Sequence, residues 1–499
     1  MKNKPLFRTV CLISCFILSS TLVYSQSDSI KVRDYLNTIS TSESLLNQFF
    51  MYMPKGGDIH NHLTGSAYAE TYFTLSVKDK LWVDMENGKL YDTKEKALAK
   101  NVKAPLQLSE NMPDLHNTRM KLIDLWSVRN FDPSKASAAP DEYFFGTFGL
   151  FGAVTGQHMV DLLKELKNRA ARENVQYLEI MASSPKVDSS RLKDYNQRYK
   201  RLANAIVIKS PALVDTLSTI FKEWENDGYM KGQVISYINY IDSIDTNSNL
   251  TDDPYAPVCL YQSYASRNAD PLTVYAQLYL SFKACADQKN KKVVGVNIVS
   301  AENSEQSMLY YNGHMKMFDF LKRAIPNVKT SLHAGEMTLG LVKPEDLGSH
   351  IREAIYTAKA NRIGHGVDIA YENGSISLIK EMKSRNIPVE INLVSNEFIL
   401  GVKGNDHPFP LYLKAGVPLV ISTDDPGILR TNLAEQYTLL ENRYKVDYFG
   451  IKKLVRNSIS YSFAPSDTKN KLMAAVNKKF SEFEQLWAGN IVTMSSWTK

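Results

Sequence analysis

The sequence predicts an α/β fold, a (β/α)8 barrel of the TIM type with extra N- and C-terminal helices. Three observations carry that prediction. Short apolar runs rich in β-branched residues alternate with helix-like stretches along most of the chain. The runs are nearly continuous in apolar residues, the pattern of strands buried on both faces of a parallel sheet covered by helices. There are eight of them, the number that closes a barrel whose active site lies at the C-terminal ends of its strands. A doubly wound open sheet is the competing arrangement, and no strand is followed by the Gly-rich phosphate turn that usually marks it.

In chain order, residues 1–25 read as an export signal. Lys2, Lys4 and Arg8 precede an apolar run over 10–23, and Val23 and Ser25 place tolerated residues before a cut ahead of Gln26. The run is short and interrupted by serine, which argues against a retained span. Leu12-Ile13-Ser14-Cys15 offers a second reading, a lipoprotein anchored at Cys15. The mature protein is expected in the periplasm or secreted, without a stable membrane span. Residues 26–53 are expected as a helical extension, since Leu36, Ile39, Leu45 and Phe49 are roughly helix-spaced over 28–51.

Residues 54–499 then form the barrel and its C-terminal helices. The breaker cluster Met53-Pro54-Lys55-Gly56-Gly57 leads into a strand over 58–62. The segment 81–91 reads as a hairpin around Asn87-Gly88, a strong two-residue turn signal. The other seven strands are expected over 176–182, 233–241, 292–300, 328–333, 362–367, 387–394 and 417–423. Residues 433–489 are mostly helical in period.

The 499 residues are 44% hydrophobic and 22% charged, ordinary for a protein with a large core. The formal charge of +6 falls by three once the signal is removed, and no block of consecutive basic residues occurs. That leaves no electrostatic case for nucleic acid or an anionic membrane as the main partner. The mature chain keeps only Cys259 and Cys285. An exported location permits a disulfide between them, but spacing alone does not decide it.

The chemistry sits where the histidines fall. His60 and His62, two apart on a strand, point to one face, and a pair of imidazoles there suits Zn²⁺. An isolated H-x-H is weak, since satisfied polar residues give the same pattern. Ser331-Leu332-His333-Ala334-Gly335-Glu336 puts a histidine on a strand tip and an acid just beyond it, although Glu336 could equally complement a helix N-terminus. Ile363-Gly364-His365-Gly366 sets a histidine between glycines that allow close approach, or marks a buried structural histidine. Thr423-Asp424-Asp425-Pro426 places two carboxylates side by side, costly to bury unless a cation or hydrogen bonds hold them; a polar turn before proline is the plainer reading. All four fragments fall at the same end of the expected barrel, after strands one, five, six and eight.

These motifs resemble the adenosine deaminase family of metallo-dependent hydrolases, and most closely its secreted growth-factor-related branch. The resemblance rests on Pro54-Lys55-Gly56-Gly57-Asp58-Ile59-His60-Asn61-His62-Leu63, His333-Ala334-Gly335-Glu336, Arg362-Ile363-Gly364-His365-Gly366 and Ser422-Thr423-Asp424-Asp425-Pro426. Weaker matches are Tyr177-Leu178-Glu179, Val293-Val294-Gly295-Val296, Ser395-Asn396 and His407-Pro408. The branch's large inserted domain is not recognisable, with 81–91 its only candidate remnant.

The resemblance implies one Zn²⁺ per chain held by His60, His62, His333 and Asp424, which would activate water for attack on C6 of adenosine or deoxyadenosine. It implies that Glu336 protonates ring N1, that His365 orients the attacking water, and that Asp425 hydrogen-bonds N7. Two departures touch substrate binding. Thr64 stands where the intracellular enzymes carry a ribose-binding acid, and Ser300 where they carry a glycine whose backbone meets N3. Thr64 keeps adenine or a modified nucleoside open as the substrate. A third possibility is a non-catalytic exported nucleoside-binding protein, against which the intact polar cluster argues. The N-terminal helix could mediate a homodimer, as in the secreted branch.

Overall fold

The computed structural model describes residues 27–250 and 253–495; the expected export signal, with Cys11 and Cys15, lies outside the described residues. Eight strands form the centre of the fold: β1 (Gly57–His62), β2 (Tyr177–Ser183), β3 (Val258–Ser266), β4 (Val293–Val299), β5 (Ser331–Ala334), β6 (Arg362–His365), β7 (Val389–Ile391) and β8 (Leu419–Ile421). The first four make one parallel sheet in chain order, and the last four make another. The sheets meet at both edges. Val296 of β4 bridges Thr330 before β5, and Asn61 of β1 bridges Asp424 after β8. At that second seam the His62 amide donates to Asp424 O at 3.0 Å and the Asp424 amide to His60 O at 2.9 Å. The strands thus close into the expected barrel.

The order of strands differs from expectation at one place. Residues 233–241 are helix, inside Gly228–Asn247, and the third strand is Val258–Ser266. The buried residues of that helix, Val234, Tyr237, Ile238, Ile241 and Ile244, recur at spacings of three and four, a helical period hidden by β-branched composition. The strand was hidden by polar residues in its middle. Gln262 and Ser263 are fully buried there, and each is paired: Gln262 Nε2 donates to Glu179 at 3.0 Å, and Ser263 shares a 2.7 Å hydrogen bond with Ser281.

Between β2 and β3 the helices Tyr195–Val207, Leu213–Trp224 and Gly228–Asn247 add an outer layer. They cover Pro271–Ala286, which is therefore buried on nearly all sides and not amphipathic. Asp270 caps that helix, accepting from the Leu272 and Thr273 amides.

The N-terminal extension is two helices, 27–39 and Glu43–Tyr52, broken by the Ser40-Thr41-Ser42 turn. Val32, Tyr35, Leu36 and Ile39 are buried within the chain, and Tyr35 packs against Trp487 with ring centroids 5.5 Å apart. The apolar face of the first helix is thus spent inside the protomer. The C-terminal region is helical over Leu433–Tyr444, Tyr448–Ser460 and Ser466–Ser495. The hairpin forms as expected, with Trp82–Val83 antiparallel to Leu90–Tyr91, and gains a third strand, Leu106–Gln107. It opens an excursion that continues through helices Leu115–Leu125, Pro140–Thr147 and Gly152–Thr155. Cys259 and Cys285 are both free thiols. Among the described residues no helix is long and apolar enough to cross a membrane.

The barrel interior holds a belt of buried polar groups beneath the strand ends. Arg362 lies between Glu179 and Glu390, with its Nη2 2.6 Å from Glu179 and its Nε donating to Glu390. Glu179 also accepts from Gln262, whose Oε1 accepts from Asn297 at 3.1 Å.

The helical assignment of 233–241 has a direct consequence. In a strand Ile235 and Tyr237 would share a face, whereas here Ile235 is 57% exposed and Tyr237 5%. Ile235→Ala should change unfolding free energy by less than about 0.5 kcal/mol and Tyr237→Ala should cost about 3 kcal/mol, read from urea unfolding midpoints.

Candidate metal centre and substrate cavity

Four side chains converge at the closing seam. His60 and His62 leave β1 on one face, His333 lies near the end of β5, and Asp424 follows β8. One potential ligand atom from each lies within 4.8 Å of all the others. His62 Nε2 is 3.2 Å from His333 Nε2 and 3.2 Å from Asp424 Oδ1, and His60 Nε2 is 3.4 Å from that same oxygen. Ligand atoms around a tetrahedral zinc at 2.0–2.1 Å lie about 3.3 Å apart. The separations match that edge length.

The orientation of each donor is fixed from behind. His60 Nδ1 donates to Glu390 at 2.6 Å, which turns Nε2 toward the centre, where this buried nitrogen has no protein hydrogen-bond partner. His333 Nδ1 donates to Asn297 Oδ1 at 3.0 Å, and its carbonyl accepts from Arg267 at 2.6 Å. Ser395 donates to Asp424 Oδ2 at 2.6 Å, leaving Oδ1 for the centre. Partners of this kind set tautomer and aim in metal sites. Burial pushes His333 far below the ordinary histidine range and lowers His62, so both offer lone pairs. Burial would also lower His60, but Asp424 and Glu390 outweigh it and lift it to about 10. A pocket that draws a proton onto one imidazole while leaving two neutral has the donors and the negative potential that suit a divalent cation.

Asp58, 3% exposed, braces the seam by accepting from Thr423 and, at 3.2 Å, from Asn61. Three non-glycine residues beyond the strand ends or at them hold left-handed backbone: Ser300 (φ 84°), His365 (φ 66°) and Asp424 (φ 65°). Such strain persists where the surroundings over-determine it, commonly at functional sites.

Beside the four donors lies a cavity of about 500 Å³, within the range of small-molecule sites. Glu336, His365 and Asp425 line it together with Thr64 and Ser300. Glu336 is seated by Glu302, which accepts from the Gly335 and Glu336 amides at 3.0 and 2.9 Å and from His350 at 2.6 Å. Burial, with Asp424 and Glu302 adding repulsion, raises the Glu336 carboxyl well above the usual range. Burial and the neighbouring Asp424 raise Asp425 likewise, so the site favours the protonated, donating form of both carboxyls. His365 is pushed down to about 3 by burial and is neutral. Its Nε2 is 3.9 Å from Asp424 Oδ2. Gly65 makes room for Asp425: a Cβ there would sit 1.5 Å from Asp425 Oδ1. Thr64 lends its carbonyl to Tyr72 at 2.6 Å, and Ser300 Oγ pairs with Ser266 Oγ at 2.9 Å.

The sequence reading missed the cavity's other walls. Phe144, Phe145 and Phe148 come from the excursion, and Tyr264, Ser266 and Asn268 from the end of β3 and the loop after it. No local pattern marked them. Glu390 and Glu179 did carry a signal, as single carboxylates inside otherwise apolar strands, a placement that burial permits only with partners.

The adenosine deaminase family profile matches residues 279–479, the part that carries His333, Glu336, His365, Asp424 and Asp425. Over those residues the chain is similar to the adenosine deaminase family. The adenosine deaminase of Clostridium perfringens strain 13 is 26% identical over 192 residues, 38% of this chain and 54% of that protein. A second C. perfringens deaminase, from strain ATCC 13124, is 30% identical over 149 residues, 30% of this chain and 42% of its own. The chain thus spans about half the length of the curated relatives it matches. Among solved structures, an N6-mAMP deaminase of Arabidopsis has TM-score 0.54 at 18% identity, covering 86% of this chain and 99% of its own. The adenine deaminase of Arthrobacter aurescens has TM-score 0.52 at 16% identity, covering 85% and 98%. A Burkholderia ambifaria amidohydrolase with bound Zn has TM-score 0.51 at 17% identity, covering 89% and 94%. The structural likenesses show the barrel fold.

Glu390→Gln keeps the size of the side chain but removes the charge that orients His60. It should weaken metal affinity by about 10- to 100-fold, read by competition with a chromogenic chelator. Gly65→Ala should displace Asp425 while leaving metal content at one ion per chain, read by elemental analysis.

Proposed function

We propose that this chain is a zinc-dependent aminohydrolase that removes the 6-amino group of adenosine or deoxyadenosine, giving the inosine product and ammonia. The observation that carries the reading is the buried Glu336, its carboxyl raised well above the usual range, beside four converging donors on the wall of a nucleoside-sized cavity. His60, His62, His333 and Asp424 would hold a zinc ion, which would make a water acidic enough to act as nucleophile near neutral pH. The zinc-bound Burkholderia amidohydrolase supports that choice of metal.

The chain's own residues account for the rest. Glu336 holds a proton in position for N1 of the purine, whose protonation makes C6 electrophilic. Asp425, whose carboxyl is raised likewise, is assigned as the donor to N7, an acceptor. The Ser300 backbone amide is assigned to N3 and Thr64 to the sugar end. His365 lies on the Asp424 side, where the attacking oxygen is oriented and its developing charge met. Phe145 and Phe148 supply an apolar wall against the flat base.

A second reading has a specific observation behind it. Thr64 gives the sugar end no carboxylate, and structural neighbours act on adenine and on N6-mAMP. Among the described residues lining the cavity none is Lys or Arg, which disfavours a phosphorylated substrate and leaves free adenine or an uncharged modified nucleoside. A panel of adenosine, deoxyadenosine, adenine and N6-methyladenosine, scored by ammonia release, separates the two; preference for free adenine would reject the nucleoside reading. Export is part of the proposal and rests on residues 1–25; N-terminal sequencing of the mature protein should begin at Gln26.

Two outcomes follow from the assigned roles. Glu336→Gln should retain zinc and thermal stability while lowering kcat by about 10²–10⁴-fold, measured as inosine formation in the ultraviolet. Removal of metal by chelation should abolish turnover and lower the melting temperature, and stoichiometric zinc should restore both.

A further inference from the structure

Behind His365 runs a chain of hydrogen bonds that the proposed chemistry does not itself require. His365 Nδ1 is 2.9 Å from Asn396 Nδ2, Asn396 Oδ1 is 3.0 Å from His407 Nε2, and His407 Nδ1 is 3.0 Å from the Phe409 amide nitrogen. His365, Asn396 and His407 are at most 2% exposed, so bulk water does not rescue a mismatched partner. Neither Asn396 nor His407 lines the cavity.

The direction of the chain is set at its far end. A backbone amide can only donate, so His407 Nδ1 must be the acceptor. Burial, with Arg443 nearby, pushes His407 down to about 4, so the ring is neutral and its single proton sits on Nε2. That proton is donated to Asn396, which fixes the carbonyl end of the amide toward His407 and its NH₂ toward His365. His365 Nδ1 must then present its lone pair. Reversing the whole chain sets donor against donor at the Phe409 amide, with the loss of a buried hydrogen bond there.

We infer that Asn396 and His407 are positioning residues that hold His365 as the Nε2–H tautomer, so that it faces the cavity as a hydrogen-bond donor and not as a base. The Nε2–H points to the side where Asp424 Oδ2 lies, 3.9 Å away, and a negatively charged oxygen forming on C6 of a substrate would meet a donor there. The amide also occupies the one lone pair of His365 that lies near Glu336, whose Oε1 is 3.5 Å from Nδ1. The kinetic part of this inference rests on the deaminase reading; the tautomer itself does not.

The test uses the full zinc-loaded chain with ¹⁵N-labelled histidine. Two-bond ¹H–¹⁵N correlation spectra, with the His365 signals assigned by their loss in His365→Gln, should show Nε2 protonated and Nδ1 bare. In Asn396→Asp the new carboxylate accepts from Nδ1, so the proton should move to Nδ1. The value of kcat should fall by about 10²–10⁴-fold with KM little changed, the scale set by wrong-tautomer variants of catalytic histidines. His407→Leu frees the Asn396 amide to turn and should give mixed tautomers with a smaller loss. His407→Gln, which keeps an N–H for Asn396 Oδ1, should recover most of what His407→Leu loses. A wild-type spectrum with Nδ1 protonated overturns the inference, as does an unchanged tautomer in both the Asn396→Asp and His407→Leu chains. If Asn396→Asp fails to fold, the His407 pair carries the same comparison. An Nε2–H signal in a wild-type chain that turns over no substrate of the panel would sink the deaminase reading and leave this one standing.

Discussion

The seam between the first and last strands of the barrel is the constraint on which the site depends. Its hydrogen bonds run between the backbones of His60, His62 and Asp424, three of the four donors that face one another across it. Closing the barrel and assembling the donor set are therefore one event. The left-handed turn at Asp424 is part of it, since the chain must leave β8 sharply for its amide to reach His60 O while its carboxylate turns inward. Asp58 accepts from Thr423 on the other side of the seam and shares the strain. No flexible loop intervenes, so the geometry is inherited from the most rigid part of the fold.

Rigid placement alone would leave imidazole tautomers and carboxylate angles undetermined. The buried belt settles them. From His60 the hydrogen bonds pass to Glu390, Arg362, Glu179, Gln262 and Asn297 and return to the centre at His333. Each group has a partner on either side, and one Arg362 guanidinium balances two carboxylates. Burial would raise Glu390, but Arg362 and His60 hold it down at about 2, so it stays an acceptor at any pH the protein meets. Such a network is costly when broken and directional when whole. It converts the barrel's packed interior into a template for proton positions, much as the Asn396–His407 chain does for His365.

How much of this is legible in the sequence depends on the range of the interaction. Local periodicity exposed seven of the eight strands, because apolar runs between helices record two-sided burial. It failed at 233–241, where β-branched residues fill a helix, and at Val258–Ser266, where Gln262 and Ser263 break an apolar run to serve partners far along the chain. The nine residues singled out for metal or substrate line one cavity or abut it because they end strands on one face, and strand order is a local property. The groups that aim them are legible only in part. Glu390 and Glu179 stand out as charges in buried strands, whereas Asn297 and Asn396 look like any polar residue after an apolar run. Phe144, Phe145 and Phe148 carried no signal, since their helix reaches the cavity only through tertiary packing.

That contrast separates the part of the site that determines the reaction from the part that determines the substrate. Donors, Glu336 and His365 stand on strand ends locked by barrel closure and the buried belt. The walls that a base or sugar would touch come from elsewhere: an excursion helix, the end of β3 with the loop after it, and the turns holding Thr64 and Ser300. That helix is tied to the loop after β4 through Asp141, which accepts from Asn303 at 2.9 Å, and Phe131 before it packs edge-on against Phe398 on the helix Leu393–Leu400, which also carries Asn396. Ser300 shows the division within one residue, since its backbone holds the left-handed turn while its hydroxyl is committed to Ser266. A change there alters the shape presented to the substrate and leaves His60, His62, His333 and Asp424 untouched. The barrel therefore fixes the chemistry more tightly than it fixes the molecule on which the chemistry is performed.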